Sequence, residues 1–268
     1  MALQCNRTLT ALFIAAGSVS PFANAVPVSG QGTWETTLQS RDLDGNSATV
    51  EAYYDTILNI TWLANANLAQ TSGFDADGLM VWATANSWAA GLNINGITGW
   101  RLPTVSPVDG TTADDATFSN TGTEDLGHNV SAPGTLFAGS TASETAHLFY
   151  NTLGDKSVCN PVTSTTSMCV SQSGSGLTNT ALFANVQAGR YWSSTTYTLS
   201  TGNAWSFSTT VSTSGLQNST DKTSGLYAWA VHPGDVAVVP APAAVWLLGT
   251  GLVGFIGVTR NRRRLNEA

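Results

Sequence analysis

Charge is what this chain of 268 residues has least of: Asp, Glu, Lys and Arg together make up 10% of it. Positive charge is almost missing between residues 26 and 239, where Arg41, Arg101, Lys156, Arg190 and Lys222 face sixteen acidic residues, about −11 in balance. A surface of that sign repels phosphate backbones and anionic headgroups, which excludes nucleic acid as a partner. Cysteine is scarce too. Besides Cys5 there are only Cys159 and Cys169, without a Cys-x-x-Cys and without a nearby histidine. They are expected to form a disulfide closing a short loop, with a metal pair or a redox pair as the poorer alternatives. The three histidines, His128, His147 and His232, stand apart, and none has another His or a Cys at helical ligand spacing. There is no Gly-x-Ser-x-Gly elbow, no Gly-rich phosphate loop and no His-Glu-x-x-His pair. A nucleophile needs an activating base held by a third group, so the expectation is a protein that is not an enzyme and carries no cofactor.

Long apolar runs are confined to the two ends. Near the N-terminus, Arg7 precedes the run Leu9–Val19, and Ala23-Asn24-Ala25 places small residues where a signal peptidase cuts. Residues 1–25 therefore read as a signal peptide, with Ala23 and Ala25 at the cleavage site. Near the C-terminus, Ala241–Thr259 holds no charge, and as a helix it would span about 28 Å, close to a bilayer's hydrocarbon thickness. Arg260, Arg262, Arg263 and Arg264 follow, and the positive-inside bias keeps them cytoplasmic with the bulk of the chain outside. The expectation is a transmembrane helix over 241–259 with a basic end at 260–264. Val239-Pro240-Ala241-Pro242-Ala243, the apolar span and the arginine cluster together resemble a PEP-CTERM sorting tail of the VPLPA type, covering residues 236–268. That resemblance implies a bacterial substrate of an exosortase-type sorting enzyme. Such a protein is inner-membrane anchored before processing, then placed at the cell surface or in the extracellular matrix.

Between the ends, Gly32–Leu38 and Tyr53–Leu63 read as strands, with Asp42-Leu-Asp44-Gly45-Asn46 turning between them. Asp42, Asp44 and Asn46 have a spacing that could also ligate calcium. An EF-hand loop, though, would carry Gly where Ser47 stands and a bidentate Glu where Tyr53 stands, so the plain turn is favoured. Asp75-Ala-Asp77-Gly78 reads the same way. A first helix is expected over Leu79–Leu92, where Val81, Ala85, Trp88 and Leu92 form one apolar stripe beside Trp82. Residues 105–140 read as a long surface loop whose Asp114-Asp115 and Glu124-Asp125 are solvated charges. A second helix begins near Thr141, where Thr141-x-x-Glu144 is a capping-box signature, and Gly154 can close it in a left-handed cap. The last third reads as a meander of Tyr191–Tyr197, Asn203–Thr213 and Leu226–His232, separated by Gly202 and the polar run Ser214–Ser224. Trp62, Trp192, Trp205 and Trp229 fall on these strands and are expected to be mostly cross-strand core pairs.

Several of these segments form an ordered series: Tyr54-Asp55-Thr56 with Asn59-Ile60-Thr61-Trp62, Trp82-Ala-Thr-Ala-Asn-Ser-Trp88, Trp100-Arg-Leu-Pro-Thr104, Tyr191-Trp-Ser-Ser194, Asn203-Ala-Trp205, and Tyr227-Ala-Trp-Ala-Val231 before Pro233-Gly234-Asp235. The series resembles the Lcl C-terminal domain family of bacterial surface proteins over residues 41–235, behind an N-terminal strand or linker at 26–40. The resemblance implies an α+β fold like that of C-type lectins, a twisted antiparallel sheet with two helices and long loops. Calcium-dependent sugar binding does not follow from it, because Glu-Pro-Asn, Gln-Pro-Asp and Trp-Asn-Asp are all absent. Nor does the copper chemistry of formylglycine-generating relatives, since Cys159 and Cys169 lie outside the matching segments. The functional expectation is a non-catalytic recognition module for extracellular polysaccharide or another surface protein, with Tyr191, Trp192, Tyr197, Trp205 and Arg101 as candidate ligand-binding residues. A passive envelope component and an enzyme with an unrecognised site are the alternatives.

Overall fold

A hairpin stands where one strand was expected over 53–63. The computed structural model describes residues 27–111 and 117–236. In it, Asn59 takes a left-handed φ of 52°, and Asp55 Oδ1 accepts from the Ile57 and Leu58 N–H groups. This side-chain turn folds the segment into β2 (Ala52–Asp55) and β3 (Ile60–Leu63). Ahead of them, the Thr33 carbonyl accepts from the Thr36 and Thr37 N–H groups, so 34–37 is a single helical turn, α1 (Trp34–Thr37). The extended backbone begins only at β1 (Leu38–Arg41). Downstream come α2 (Leu68–Thr71), α3 (Trp82–Gly91), β4 (Phe118–Ser119), β5 (Leu126–His128) and α4 (Glu144–His147). After α4 follow a π-helical turn at Leu148–Thr152, then β6 (Arg190–Thr196), β7 (Asn203–Ser208), β8 (Leu216–Asp221) and β9 (Val231–Pro233).

These strands make two sheets, ordered β1-β2-β3-β9 and β4-β5-β8-β7-β6. The single twisted sheet expected from the lectin-like reading is thereby corrected. Two local causes account for the difference. Ser214–Ser224, taken as a polar connection, contains β8, whose backbone lies between β5 and β7. Its polar side chains find partners inside: Gln217 Nε2 donates to the Asp125 carbonyl, although its Oε1 is buried without one, and the Thr220 and Ser206 hydroxyls meet at 2.8 Å. The segment after β8 then leaves the second sheet, keeping a backbone bridge to it at Tyr191–Tyr227, and β9 joins β3 in the first. No helix among the described residues is long and apolar enough to cross a membrane. Residues 241–259, the signal-cleavage residues Ala23 and Ala25, the sorting-motif residues 239–243 and 260–264, and Asp114-Asp115 lie outside the described residues. The Cys159–Cys169 disulfide is present.

Two apolar clusters fill the interior. In the larger, which draws on both sheets, Trp62 of β3, Trp100, Trp192 of β6 and Trp229 are buried together, with Trp62 and Trp229 edge-to-face at 5.1 Å. Such a ring pair contributes about 1 kcal/mol beyond the burial of its area. In the smaller, Phe149, Tyr150 and Phe207 pack ring on ring at 5.0–6.1 Å. The wide π-helical turn closes with the Leu153 N–H bonding to the Leu148 carbonyl, and both Phe149 and Tyr150 are buried on it. Gly154 ends it at φ 71°, the left-handed cap expected. A side chain at Gly154 or Gly32 would collide with the other's stretch of backbone, so the glycine pair lets the N-terminal segment lie against this turn.

Arg101 joins the two halves. Its backbone exchanges both hydrogen bonds with Val231 of β9, and its guanidinium grips Glu144 at the start of α4 through two 2.7 Å bonds. Glu144 is therefore an ion-pair partner rather than the capping-box member expected. Ser143 is the N-cap, its Oγ accepting from the Ala146 N–H. Truncating Arg101 leaves the mostly buried Glu144 carboxylate unpaired, so Arg101→Met should destabilise by about 2–4 kcal/mol and Glu144→Gln by less. Urea denaturation checks both; a loss no larger than that of an exposed surface pair would contradict the clasp.

Candidate functional site

The aromatic platform expected at Tyr191, Trp192, Tyr197 and Trp205 is not on the surface. All four are at most 8% exposed, because they seal the space under the sheets. Their polar tips explain how they are accommodated: Trp192 Nε1 donates to the Met80 carbonyl, and Tyr191 Oη accepts from the Gln187 N–H and donates to its carbonyl. Tyr197 and Trp205 stack edge-to-face at 5.1 Å. Burial raises the Tyr191 pKa above the ordinary phenol range. Arg101, the fifth candidate, is committed to Glu144. These residues form core, and none offers a ligand surface.

The Asp42–Asn46 loop carries the residues that could hold a hard divalent cation. Asp42, Asp44 and Glu51 bring carboxylate oxygens within 4.8 Å of one another. Sequence reasoning missed Glu51, which lies two residues short of the position where the motif would place its glutamate. The oxygens, however, already serve the loop itself. Asp42 Oδ1 accepts from the Asp44 and Gly45 N–H groups, Asp44 Oδ1 from that of Asn46, and Glu51 Oε2 from that of Leu43. Asn46 Oδ1 is turned to the Ala48 N–H. The Asp75–Gly78 turn repeats the pattern. Both are turns built by aspartate side chains. Asp125, expected in solvent, is instead buried and accepts from the Val108 N–H at 2.7 Å.

The feature that sequence reasoning did not find is a cleft of about 400 Å³. The end of the π-helical turn, the Gly32–Thr33 strap, the Asn129–Pro133 loop and the disulfide-closed loop border it. Its polar lining has a consistent orientation. Asn129 Nδ2 donates to the Asn120 and Cys159 carbonyls, Gln172 Nε2 to those of Ser157 and Cys159, and Asn151 Nδ2 to Ser131 O and Oγ. Those acceptors fix which end of each amide is nitrogen. The hydroxyls of Tyr150 and Ser157 donate to the carbonyls of Gly215 and Ser214. The lining's amide and hydroxyl protons thus point into the protein, leaving oxygens and the exposed Lys156 ammonium as its remaining capacity. Two of the oxygens, Asn129 Oδ1 and Asp155 Oδ2, are buried without a partner.

Asp155 is the electrostatic centre. Its Oδ1 collects bonds from Thr178 N and Oγ1, Asn179 N and Gln31 Nε2, while burial raises its pKa to about 6. Burial also raises that of Tyr150 and lowers that of His128. Ser157 Oγ lies 3.2 Å from His128 Nδ1, the one Ser–His contact near the cleft. Ser157 Oγ also lies 3.1 Å from Ser214 O and receives the Cys159 N–H, so this arrangement ties three loops together.

Comparison with family models, with curated proteins and with solved structures finds no match to the chain. The cleft is therefore read from its own geometry.

Because the folded pKa of Asp155 lies above its ordinary value, the folded state holds this proton more tightly than the unfolded chain. The stability it contributes is fully present below about pH 4 and falls as pH rises toward 6. The stability difference between the native protein and Asp155→Asn should therefore shrink by about 2 kcal/mol between pH 4 and pH 7 in paired denaturant titrations. A difference that widens instead would mean that the carboxylate is stabilised as an anion.

Proposed function

We propose that this is a non-catalytic recognition module of an exported protein, which binds a saccharide unit of an extracellular polymer in the cleft beside the disulfide loop. The observation that carries this reading is the cleft, whose lining residues Asn129 and Asp155 each keep one buried oxygen without a partner. Buried polar groups without partners are costly, and a ligand rich in N–H or O–H groups relieves them. The disulfide supports an oxidising compartment, and the neutral hydroxyl and amide composition suits a polymer-rich exterior. The resemblance of residues 41–235 to a bacterial surface domain points the same way. The inward bonds of the Asn129 and Gln172 amides favour binding over turnover.

Burial of the whole aromatic set favours a second reading, a passive matrix component with no specific ligand. Chromatography on immobilised polysaccharides separates the two. The first reading expects retention unaffected by chelator and no shortening of the polymer. Absence of retention supports the second, and release of shorter chains would point to an enzyme.

A further inference from the structure

We propose that the group taken by the cleft is a primary ammonium, carried by an amino sugar of the bound polymer. The inference rests on the recognition reading above for the sugar, and on the lining alone for the ammonium. A hydroxyl both donates and accepts, so a neutral sugar needs donors as well as acceptors from its site. Here the side-chain donors of Asn129, Tyr150, Asn151, Ser157 and Gln172 are all bonded inward. Apart from the exposed Lys156 ammonium, what remains of the side-chain lining is one carboxylate oxygen and amide oxygens. An ammonium has three protons to give and no lone pair to satisfy, which matches those acceptors.

Charge supports the same choice. Asp155 is ionised at neutral pH, with its titration near 6, and a charge-assisted bond to a cation is about twice as strong as a neutral one. The chain as a whole carries a net −7, so a cationic ligand is attracted from a distance. Asn129 Oδ1 and Asp155 Oδ2 are both covered in this structure, so neighbouring side chains must yield for the ligand to reach them. The half-buried Asn151 and Gln172 stand nearer to solvent and make the first contacts. Lys156 is the opposing element. It lines the cleft and is exposed, so its own ammonium repels a cationic ligand weakly, through water.

The test is calorimetric titration of the intact protein at neutral pH with glucosamine, glucose, N-acetylglucosamine and butylamine. Glucosamine should bind about tenfold more tightly than the two sugars without a free amine. Asp155→Asn should abolish that preference. Lys156→Gln, an exposed change that leaves the fold intact, should tighten glucosamine binding by about threefold. Equal binding of glucose and glucosamine would overturn the ammonium while leaving saccharide recognition standing. Binding of butylamine with no sugar bound would do the reverse. Weaker glucosamine binding to Lys156→Gln would also overturn the proposal, because the lysine would then be holding an acceptor group of the ligand. No binding of any probe would overturn both readings.

Discussion

The grip of Arg101 on Glu144 is the interaction on which the arrangement of this protein depends. The main core draws on both sheets, and a short crossing, 101–104, is held by both. The Arg101 backbone is laced to Val231 of the first sheet, its guanidinium closes on the start of α4, and the Thr104 N–H joins the same carboxylate. Pro103 offers its carbonyl to Ser193 and Ser194 of β6. The ion pair is mostly withdrawn from water, so its geometry is fixed by hydrogen bonds on both partners and is costly to break on one side. Since α4 runs directly into the π-helical turn, the position of one wall of the cleft is set from this point.

Much of the packing was legible in the residues, and the site was not. Trp62, Trp192, Trp205 and Trp229 are core, as strand alternation suggests, and the 159–169 disulfide and the Gly154 cap follow from local chemistry. These features depend on a few neighbouring residues. The second sheet escaped because β8 is polar by composition and becomes a strand only when its hydroxyls and Gln217 find partners far away in the chain. The capping-box reading of Glu144 failed for the same reason, since Arg101 lies forty-three positions upstream. The aromatic candidates were chosen for the chemistry of their side chains. Burial by two sheets, where one was expected, removed them from the surface.

The cleft shows the limit most clearly. Nothing in the local sequence of Asn129, Asn151, Asp155 or Gln172 marks them out. Their shared property, protons turned inward and oxygens left over, arises from carbonyls supplied by residues 120, 131, 157 and 159. The same bonds that fasten the loops thereby decide what the cleft can accept. Structural and recognition roles are carried by opposite ends of the same carboxamides.

The most direct measurement of that division is hydrogen exchange at the side-chain amides of Asn129, Asn151 and Gln172, followed by nitrogen-resolved NMR. If their protons are bonded inward, these resonances persist well after exposed carboxamides have exchanged into heavy water. Exchange as fast as that of a surface asparagine would mean that the protons face solvent, and the acceptor-lined cleft would not exist.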